Sequence, residues 1–388
     1  MGLLLAYSFR NIFTRKLTSI LTIVGIALVV FVFAAIFMLA NGLYQTLVDT
    51  GYDENVIVIR KASQTEVQSI IYRDMANVIK ADQAIQRIDD GACLFTNAIL
   101  VLITQPKRGS EETSNVPVRG VAEKSISLRP DFKLIEGRMW RPGTSEIIAG
   151  AKAAKGFQGC GLGETVRFGM RDWTVVGVFE LDNSGFESEL WGDVEQLMDA
   201  FHRPVYSSLT FRLESPSEFT VVKERLENDP RLAVEVQREK EYYAEQSEFT
   251  ATFLKGVGIG VCFFLALGAV FGAMITMYAS VANRTVEIGT LRALGFRRRT
   301  VLRAFLVESV LIALIGGAIG ILVAYFLRYV EISTTNWNTF AELAFSFEMS
   351  PSIAISAMVF AILMGIAGGF FPAVRAASLR IINALRAK

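Results

Sequence analysis

The chain has 388 residues and a formal net charge of +1, which excludes a bulk electrostatic attraction to nucleic acid or to an acidic partner. Its hydrophobic fraction of 52% and its mean hydropathy of +0.39 are higher than those of most soluble domains. These values indicate a membrane protein, whose spanning segments must cross about 30 Å of hydrocarbon.

Four apolar runs each exceed the roughly 20 residues that a spanning helix needs. The first run is too long for a cleaved signal peptide, whose apolar region is about 7 to 15 residues, and it is interpreted as an uncleaved anchor. The sequence predicts spanning helices at residues 17–48, 256–283, 304–327 and 349–374.

Basic side chains collect in short segments next to these runs, and basic segments resist translocation. The loop between the second and third runs, for example, carries six arginines and one acidic residue. The long segment after the first run has 25 basic and 33 acidic side chains. The charges therefore predict that residues 1–16, 284–303 and 375–388, including both termini, are cytoplasmic, and that residues 49–255 and 328–348 face outward.

The outward segment 49–255 has the pattern of an α+β domain, with short β-rich runs separated by turn residues. Predicted strands are residues 55–60, 98–104, 116–121, 164–168, 173–179 and 207–213. Predicted helices are residues 66–80, 190–201 and 217–227. No proline or glycine occurs from Glu239 to Lys255, which predicts one continuous helix that emerges from the second span as a stalk.

No catalytic or metal-binding pattern stands out in the sequence. His202 is isolated, and Cys93, Cys160 and Cys262 share no short spacing, although a disulfide between Cys93 and Cys160 remains open. The sequence contains no G-x-x-x-x-G-K-[ST] phosphate loop. We therefore expect a protein that is not itself an enzyme, has no cofactor or metal of its own, and draws its energy from a partner.

The N-terminal stretch RNIFTRKLTSILTIVGIAL, Arg10–Leu28, resembles the opening of FtsX-like permeases. In that family a basic amphipathic segment lies along the inner membrane surface before the first span. Residues 1–16 combine apolar and basic side chains in a way that suits such an interfacial helix on membrane lipid. A plain basic flank that only sets the topology is the alternative.

A more specific resemblance lies in RTVEIGTLRALGFRRRTVLRAFLVESVL, Arg284–Leu311, which is similar to the family's cytoplasmic signature. Thr285–Leu294 is predicted to form a short helix that ends at Gly295, because glycine accepts the left-handed C′ conformation. In the family this loop couples the permease to a separate ATPase. The resemblance implies the following contact residues: Glu287, Gly289, Leu291, Arg292, Gly295, Arg297, Arg298 and Arg299. Arginines that only enforce topology are the alternative.

Two further features lie within the predicted spans. Glu308 lies near the cytoplasmic end of the third span, where we expect an ion pair with a nearby arginine. Glycines recur at four-residue spacings, which predicts close helix packing within or between subunits. They are Gly256, Gly260, Gly268 and Gly272 in the second span, and Gly316 and Gly320 in the third.

The outward segment also resembles the MacB-like core domain, in pieces such as VPVRGVAE from Val116, EIIAGAKAAKGF from Glu146 and DWTVVGVFE from Asp172. The chain is thus identified as a FtsX-like/MacB-like ABC transporter permease of the separate-ATPase type. The resemblance implies a multi-pass protein of the bacterial inner membrane, with four transmembrane helices and an α+β periplasmic domain between helices 1 and 2.

The resemblance also implies partners and a mechanism. We expect two copies of a separate ABC ATPase that bind ATP and magnesium, a second permease copy or a related permease, and, in the MacB-like branch, a periplasmic adaptor protein and an outer-membrane channel. ATP-driven motion would reach the periplasmic domain by mechanotransmission and drive export or release of a substrate. Export, lipoprotein release and cell-wall-hydrolase regulation remain open. A membrane-anchored binding or sensor protein is the alternative from another class.

Overall fold

The computed structural model describes residues 16–87, 91, 93–336 and 339–380. Most of the predicted interfacial segment 1–16, and the end of the predicted tail from residue 381, lie outside the described residues. The chain divides into two compact units. A helical unit comprises Met1–Gly42, Thr252–Val330 and Ser346–Lys388, and a sheet domain comprises Leu43–Ala251 and Glu331–Phe345.

The helices follow in chain order, with four of them inside the sheet domain. They are α1 Lys16–Val48, α2 Arg73–Lys80, α3 Ala151–Gly156, α4 Val194–Ala200, α5 Phe219–Glu227, α6 Glu239–Asn283, α7 Thr285–Ala293, α8 Arg298–Tyr325 and α9 Pro351–Ser378. Within the described residues, α1, α6, α8 and α9 are long and apolar enough to cross a membrane. The four predicted spans are therefore confirmed as helices of suitable length.

The helices α6 and α8 begin well before the predicted spans. The helix α6 is uninterrupted over 45 residues, so the predicted stalk and the second apolar run form one helix. The helix α8 begins at Arg298, six residues before the predicted start of the third span. The predicted span marks only the apolar run, and arginine is a good helix former, so the helix also includes the basic residues before that run.

The strands belong to the sheet domain, apart from the end of the last one. They are β1 Asn55–Arg60, β2 Phe95–Pro106, β3 Thr113–Val121, β4 Lys133–Gly137, β5 Glu146–Gly150, β6 Thr165–Phe168, β7 Arg171–Glu180, β8 Leu190–Asp193, β9 Ser208–Arg212, β10 Val234–Arg238, β11 Glu331–Thr335 and β12 Glu342–Ser346. Among the described residues, the first ten form one sheet in the order β10-β1-β9-β2-β3-β8-β5-β7-β4, with β6 also on β7. The strands β11 and β12 form a separate pair.

Two predicted helices are wrong over part of their length. Residues 190–193 form the strand β8, which pairs in parallel with β3 and antiparallel with β5, and only the residues after it are helical. In the sheet, these residues form backbone hydrogen bonds with two neighbouring strands, and this pairing outweighs their local preference for a helix. Of the predicted helix 66–80, only Arg73–Lys80 is helical.

Both faces of the large sheet are covered, because alternate residues of β1 enter different apolar clusters. Val56 and Val58 join a cluster with the helices α2, α4 and α5. Ile57 and Ile59 join a second cluster that contains Tyr242 and its neighbour in the first turns of α6. Since side chains alternate across a strand, α6 begins packed against the face of the sheet opposite α2.

Candidate functional site

The segment between α6 and α8 forms a short helix with a glycine cap, as the sequence predicts. Gly295, just after α7, has a φ of +94°. Its amide donates to the carbonyl of Arg292 at 3.2 Å, and the amide of Phe296 donates to the carbonyl of Leu291 at 3.2 Å. This pair of bonds is a Schellman motif, which requires a left-handed residue at this position and favours glycine.

Arg284, immediately before α7, is the buried charge at the base of this helix. Its Nη1 donates to Oε2 of Glu308 at 2.9 Å, and its Nε donates to Oε2 of Glu287 at 3.2 Å. Its guanidinium lies 5.0 Å from the ring centroid of Phe305. The prediction that Glu308 pairs with a nearby arginine is confirmed, and the partner is an arginine that sequence analysis did not single out.

The inner side of α7 packs against three spanning helices. Ile288 is 2% exposed, and it belongs to a cluster formed with side chains from α6, α8 and α9. These neighbours are Met277, Val281, Val301, Phe305, Ala373 and Ala376. Gly289 is also buried. The position of α7 is therefore fixed by the same helices that span the membrane.

The outer side of this segment carries most of the predicted contact residues. Glu287 and Gly295 are exposed, as are Arg297, Arg298 and Arg299, while Leu291 and Arg292 are half-buried. Two apolar side chains that sequence analysis missed, Leu294 and Phe296, are 73% and 41% exposed. Large exposed apolar groups beside arginines are typical of a surface that contacts another protein or the membrane.

The predicted packing glycines fall into two groups. A Cβ on Gly320 would lie 2.6 Å from the carbonyl oxygen of Ala27, and one on Gly316 would lie 2.9 Å from that of Ile23, so α8 packs closely on α1 at both glycines. Beyond the neighbouring residues and backbone of α6 itself, no described atom lies within 4 Å of such a Cβ on the four predicted glycines of α6, which are Gly256, Gly260, Gly268 and Gly272.

A buried ionic cluster in the sheet domain was not predicted. Arg119 on β3 donates to both oxygens of Glu66, at 2.8 and 3.0 Å, and to both oxygens of Glu189, at 2.7 and 2.9 Å. Each of the three residues is less than a tenth exposed. Ser208 donates to Glu66 at 2.5 Å, and the Trp191 indole donates to Glu189 at 2.8 Å. The cluster therefore places two carboxylates around one cation.

The two carboxyl groups of this cluster differ in pKa. Burial alone would raise the pKa of Glu66, but the charge and hydrogen bonds of Arg119 outweigh it and hold that pKa below its ordinary value. Burial raises the pKa of Glu189, and Arg119 offsets this only in part. Glu66 is therefore the ionised partner of Arg119, and Glu189 is the group that takes up a proton more readily.

The cysteines do not form a disulfide, and the described residues offer no metal site. Cys93 and Cys160 are free thiols, and burial raises the pKa of Cys160 to about 12. Within the described residues, no group of three or more His, Cys, Asp or Glu side chains is placed to hold a metal ion.

Two regions of the chain match models of known protein families. Residues 19–229 match the family model described as MacB-like periplasmic core domain, and residues 259–381 match that of the FtsX-like permease C-terminal region. The uncharacterized ABC transporter permease YvrN of Bacillus subtilis is 25% identical, over 98% of this chain and 98% of that protein.

The macrolide export ATP-binding/permease protein MacB of Neisseria gonorrhoeae is 29% identical over 58% of this chain, and the match spans 35% of its length. The crystal structure of the periplasmic region of MacB from Actinobacillus actinomycetemcomitans aligns with a TM-score of 0.36 and 16% identity, over 50% of this chain and 92% of that one.

Proposed function

The chain belongs to the ABC transporter permeases that combine a MacB-like periplasmic core domain with an FtsX-like permease region, and from that premise we propose that it couples a separate ATPase to movement of its extracytoplasmic domain. ATP and magnesium would bind the ATPase, in two copies. The permease would work with a second copy of itself or with a related permease. Its membrane would be the bacterial inner membrane, with both termini cytoplasmic.

The observation that carries this proposal is the surface around α7. A short helix is anchored from inside by Arg284 and Ile288, and it presents Leu294, Phe296 and the neighbouring arginines outward. This helix presents an exposed apolar and basic edge, and its inner side is fixed to the spanning helices. A force from a protein docked on that edge would therefore be transmitted to the spanning helices. We propose that this edge, with Glu287, Leu291 and Arg292 beside it, fits a groove on the ATPase.

The uninterrupted helix α6 supports the mechanical part of the proposal. It contains the second spanning segment, and its first turns pack against the large sheet. A continuous helix is stiff along its axis, so motion at one end reaches the other. The MacB relative is named for macrolide export, and we propose export, aided by an adaptor protein and an outer-membrane channel, as the direction of transport.

Docking is tested by ATP hydrolysis in gently solubilised material. The tagged full chain is purified from its native membrane, as wild type and as Leu294→Glu with Arg298→Glu. We expect the wild-type eluate to hydrolyse ATP and the double variant to lose about tenfold or more of that activity at equal permease yield, because an apolar and a basic contact are both replaced by carboxylates.

The matched control is Arg328→Glu, which reverses an exposed arginine in the short turn that follows the other end of α8, and it should leave the co-purifying activity unchanged. Absence of ATP hydrolysis from the wild-type eluate would favour the anchored sensor instead. Full activity in the double variant would place the docking surface elsewhere.

A further inference from the structure

The first residue of α6 is fastened inside the sheet domain by a buried carboxylate. Glu239 is 0% exposed, and both of its oxygens accept hydrogen bonds from Arg129, with Oε2 2.6 Å from Nη1. The same oxygen accepts from the Asn55 side chain at 3.0 Å and from the Tyr52 amide at 3.2 Å. The start of α6 is thus held by β1, by the segment before it and by Arg129.

The next turn of α6 is attached to the ionic cluster around Arg119. The hydroxyl of Tyr243 donates to Oε2 of Glu66 at 3.0 Å, and the hydroxyl of Tyr242 accepts from the amide of Glu66 at 2.9 Å. Glu66 in turn binds Arg119 on β3. Two successive turns of the helix therefore reach two different strands of the sheet through charged groups that are buried.

Phe186 connects the two ionic groups. Its ring centroid lies 4.9 Å from the guanidinium carbon of Arg119 and 4.7 Å from that of Arg129. The ring also meets Tyr243 edge to face at 5.8 Å. Both cations contact the same aromatic ring, and this ring also packs against α6. These contacts restrict rotation of the helix relative to the sheet.

The geometry points to this network as a rigid joint, which holds the first two turns of α6 and the large sheet together as one body throughout the ATP cycle. The inference rests on the proposed function and names the element through which motion of α6 would enter the sheet domain. A tilt of α6 about its first residue, Glu239, would separate buried charges from their partners. A buried charge without its partner is strongly destabilising. A hinge at this position is therefore disfavoured, and Arg129, Glu239, Glu66 and Arg119 act as positioning residues.

The joint is tested by the distance between spin labels at Met170→Cys and Glu241→Cys, two exposed positions on the sheet domain and on the first turn of α6. Cys93→Ser removes the one native thiol that is not buried. The labelled chain is diluted with unlabelled chain and purified with its ATPase. We expect a narrow distance distribution with the same mean in the nucleotide-free and vanadate-trapped states.

The variant Arg129→Met with Glu239→Gln removes the buried Arg129–Glu239 pair from the joint and leaves neither partner as an unpaired ion, so the domain should remain folded. We expect its label distribution to be about twofold or more broader than that of the wild type. ATP hydrolysis should stay at the wild-type rate, because the surface around α7 is intact. The matched control, Arg73→Met with Glu195→Gln, removes an exposed ion pair and should leave the distribution narrow.

A shift of the wild-type mean on vanadate trapping would overturn the proposal, because it would place a hinge at the base of α6. A distribution in the Arg129/Glu239 variant as narrow as that of the wild type would overturn it as well. If no ATPase co-purifies, the proposed function fails, and the nucleotide-free widths of the wild type and the variant still decide whether the network holds the joint.

Discussion

Replacing Arg119 with methionine is expected to lower the free energy of unfolding of the sheet domain by about 3–5 kcal/mol, because it leaves Glu66 and Glu189 buried without their cation. The measurement is denaturant unfolding of the full detergent-solubilised chain. Tryptophan fluorescence is a suitable signal, because Trp191 donates to Glu189 inside the cluster. An exposed arginine provides the matched control. Arg73→Met breaks a pair with Glu195 that is about half exposed on both sides, and it should cost less than about 1 kcal/mol.

The loss caused by Arg119→Met should depend on pH in a defined direction. Arg119 holds the pKa of Glu66 below its ordinary value, so the stability that this pair contributes is present above the unfolded pKa and is lost as pH falls through the folded one. Without the arginine, burial raises the pKa of Glu66 and of Glu189. The sheet domain then folds more readily when both carboxyl groups are protonated. The deficit should therefore be largest near neutral pH and smaller near about pH 4. An equal deficit at both pH values would contradict this account.

The second large effect is expected at Gly320, where the variant Gly320→Leu should destabilise the helical unit. A Cβ at this position would lie 2.6 Å from a backbone oxygen of α1 and 3.0 Å from the Cβ of Val30, so a leucine must push α1 and α8 apart. Overpacking of this kind costs about 1–3 kcal/mol, and membrane helix pairs depend on close contact at small residues. We expect a lower unfolding temperature and more aggregation of the purified chain in detergent.

The control for Gly320 is Gly272→Leu, which makes the same change on α6. No described atom beyond its own stretch of α6 lies within 4 Å of a Cβ on Gly272, so this variant should leave the melting temperature of the single chain unchanged. Equal losses at both positions would show that the difference in packing between the two glycines has no energetic consequence.

Local patterns in the sequence determined the spanning helices and several strands. Length and hydropathy located the long helices α1, α6, α8 and α9, and the absence of helix breakers predicted the continuous α6. The strand β1 has the predicted bounds Asn55–Arg60, because Val and Ile fill both faces of a strand that is buried on both sides. The cap at Gly295 was also predictable from local sequence, because its conformation depends on the residues within one helical turn of it.

The packing of identical motifs was decided only by the tertiary structure. The glycines of α6 and α8 have the same four-residue spacing, yet α1 packs closely on Gly316 and Gly320, while a Cβ on the predicted glycines of α6 would meet no described atom beyond its own stretch of helix. Glycine spacing shows that a close approach is possible. Whether another helix is placed there depends on how the helices pack as a group.

The buried ionic network also depended on the tertiary structure. Arg119 looks like an ordinary charged residue of an alternating strand, and the sequence predicts a helix at Glu66, whereas the helix begins only at Arg73. The partners are distant in sequence: Arg119 lies 53 positions after Glu66, and Glu239 lies 110 positions after Arg129. The length of an apolar run and the charge of its flanking segments can each be counted within one continuous stretch of sequence. The sequence therefore determines both features directly. The stability of a buried charge depends on a partner that the folded chain brings beside it, and no local pattern identifies that partner.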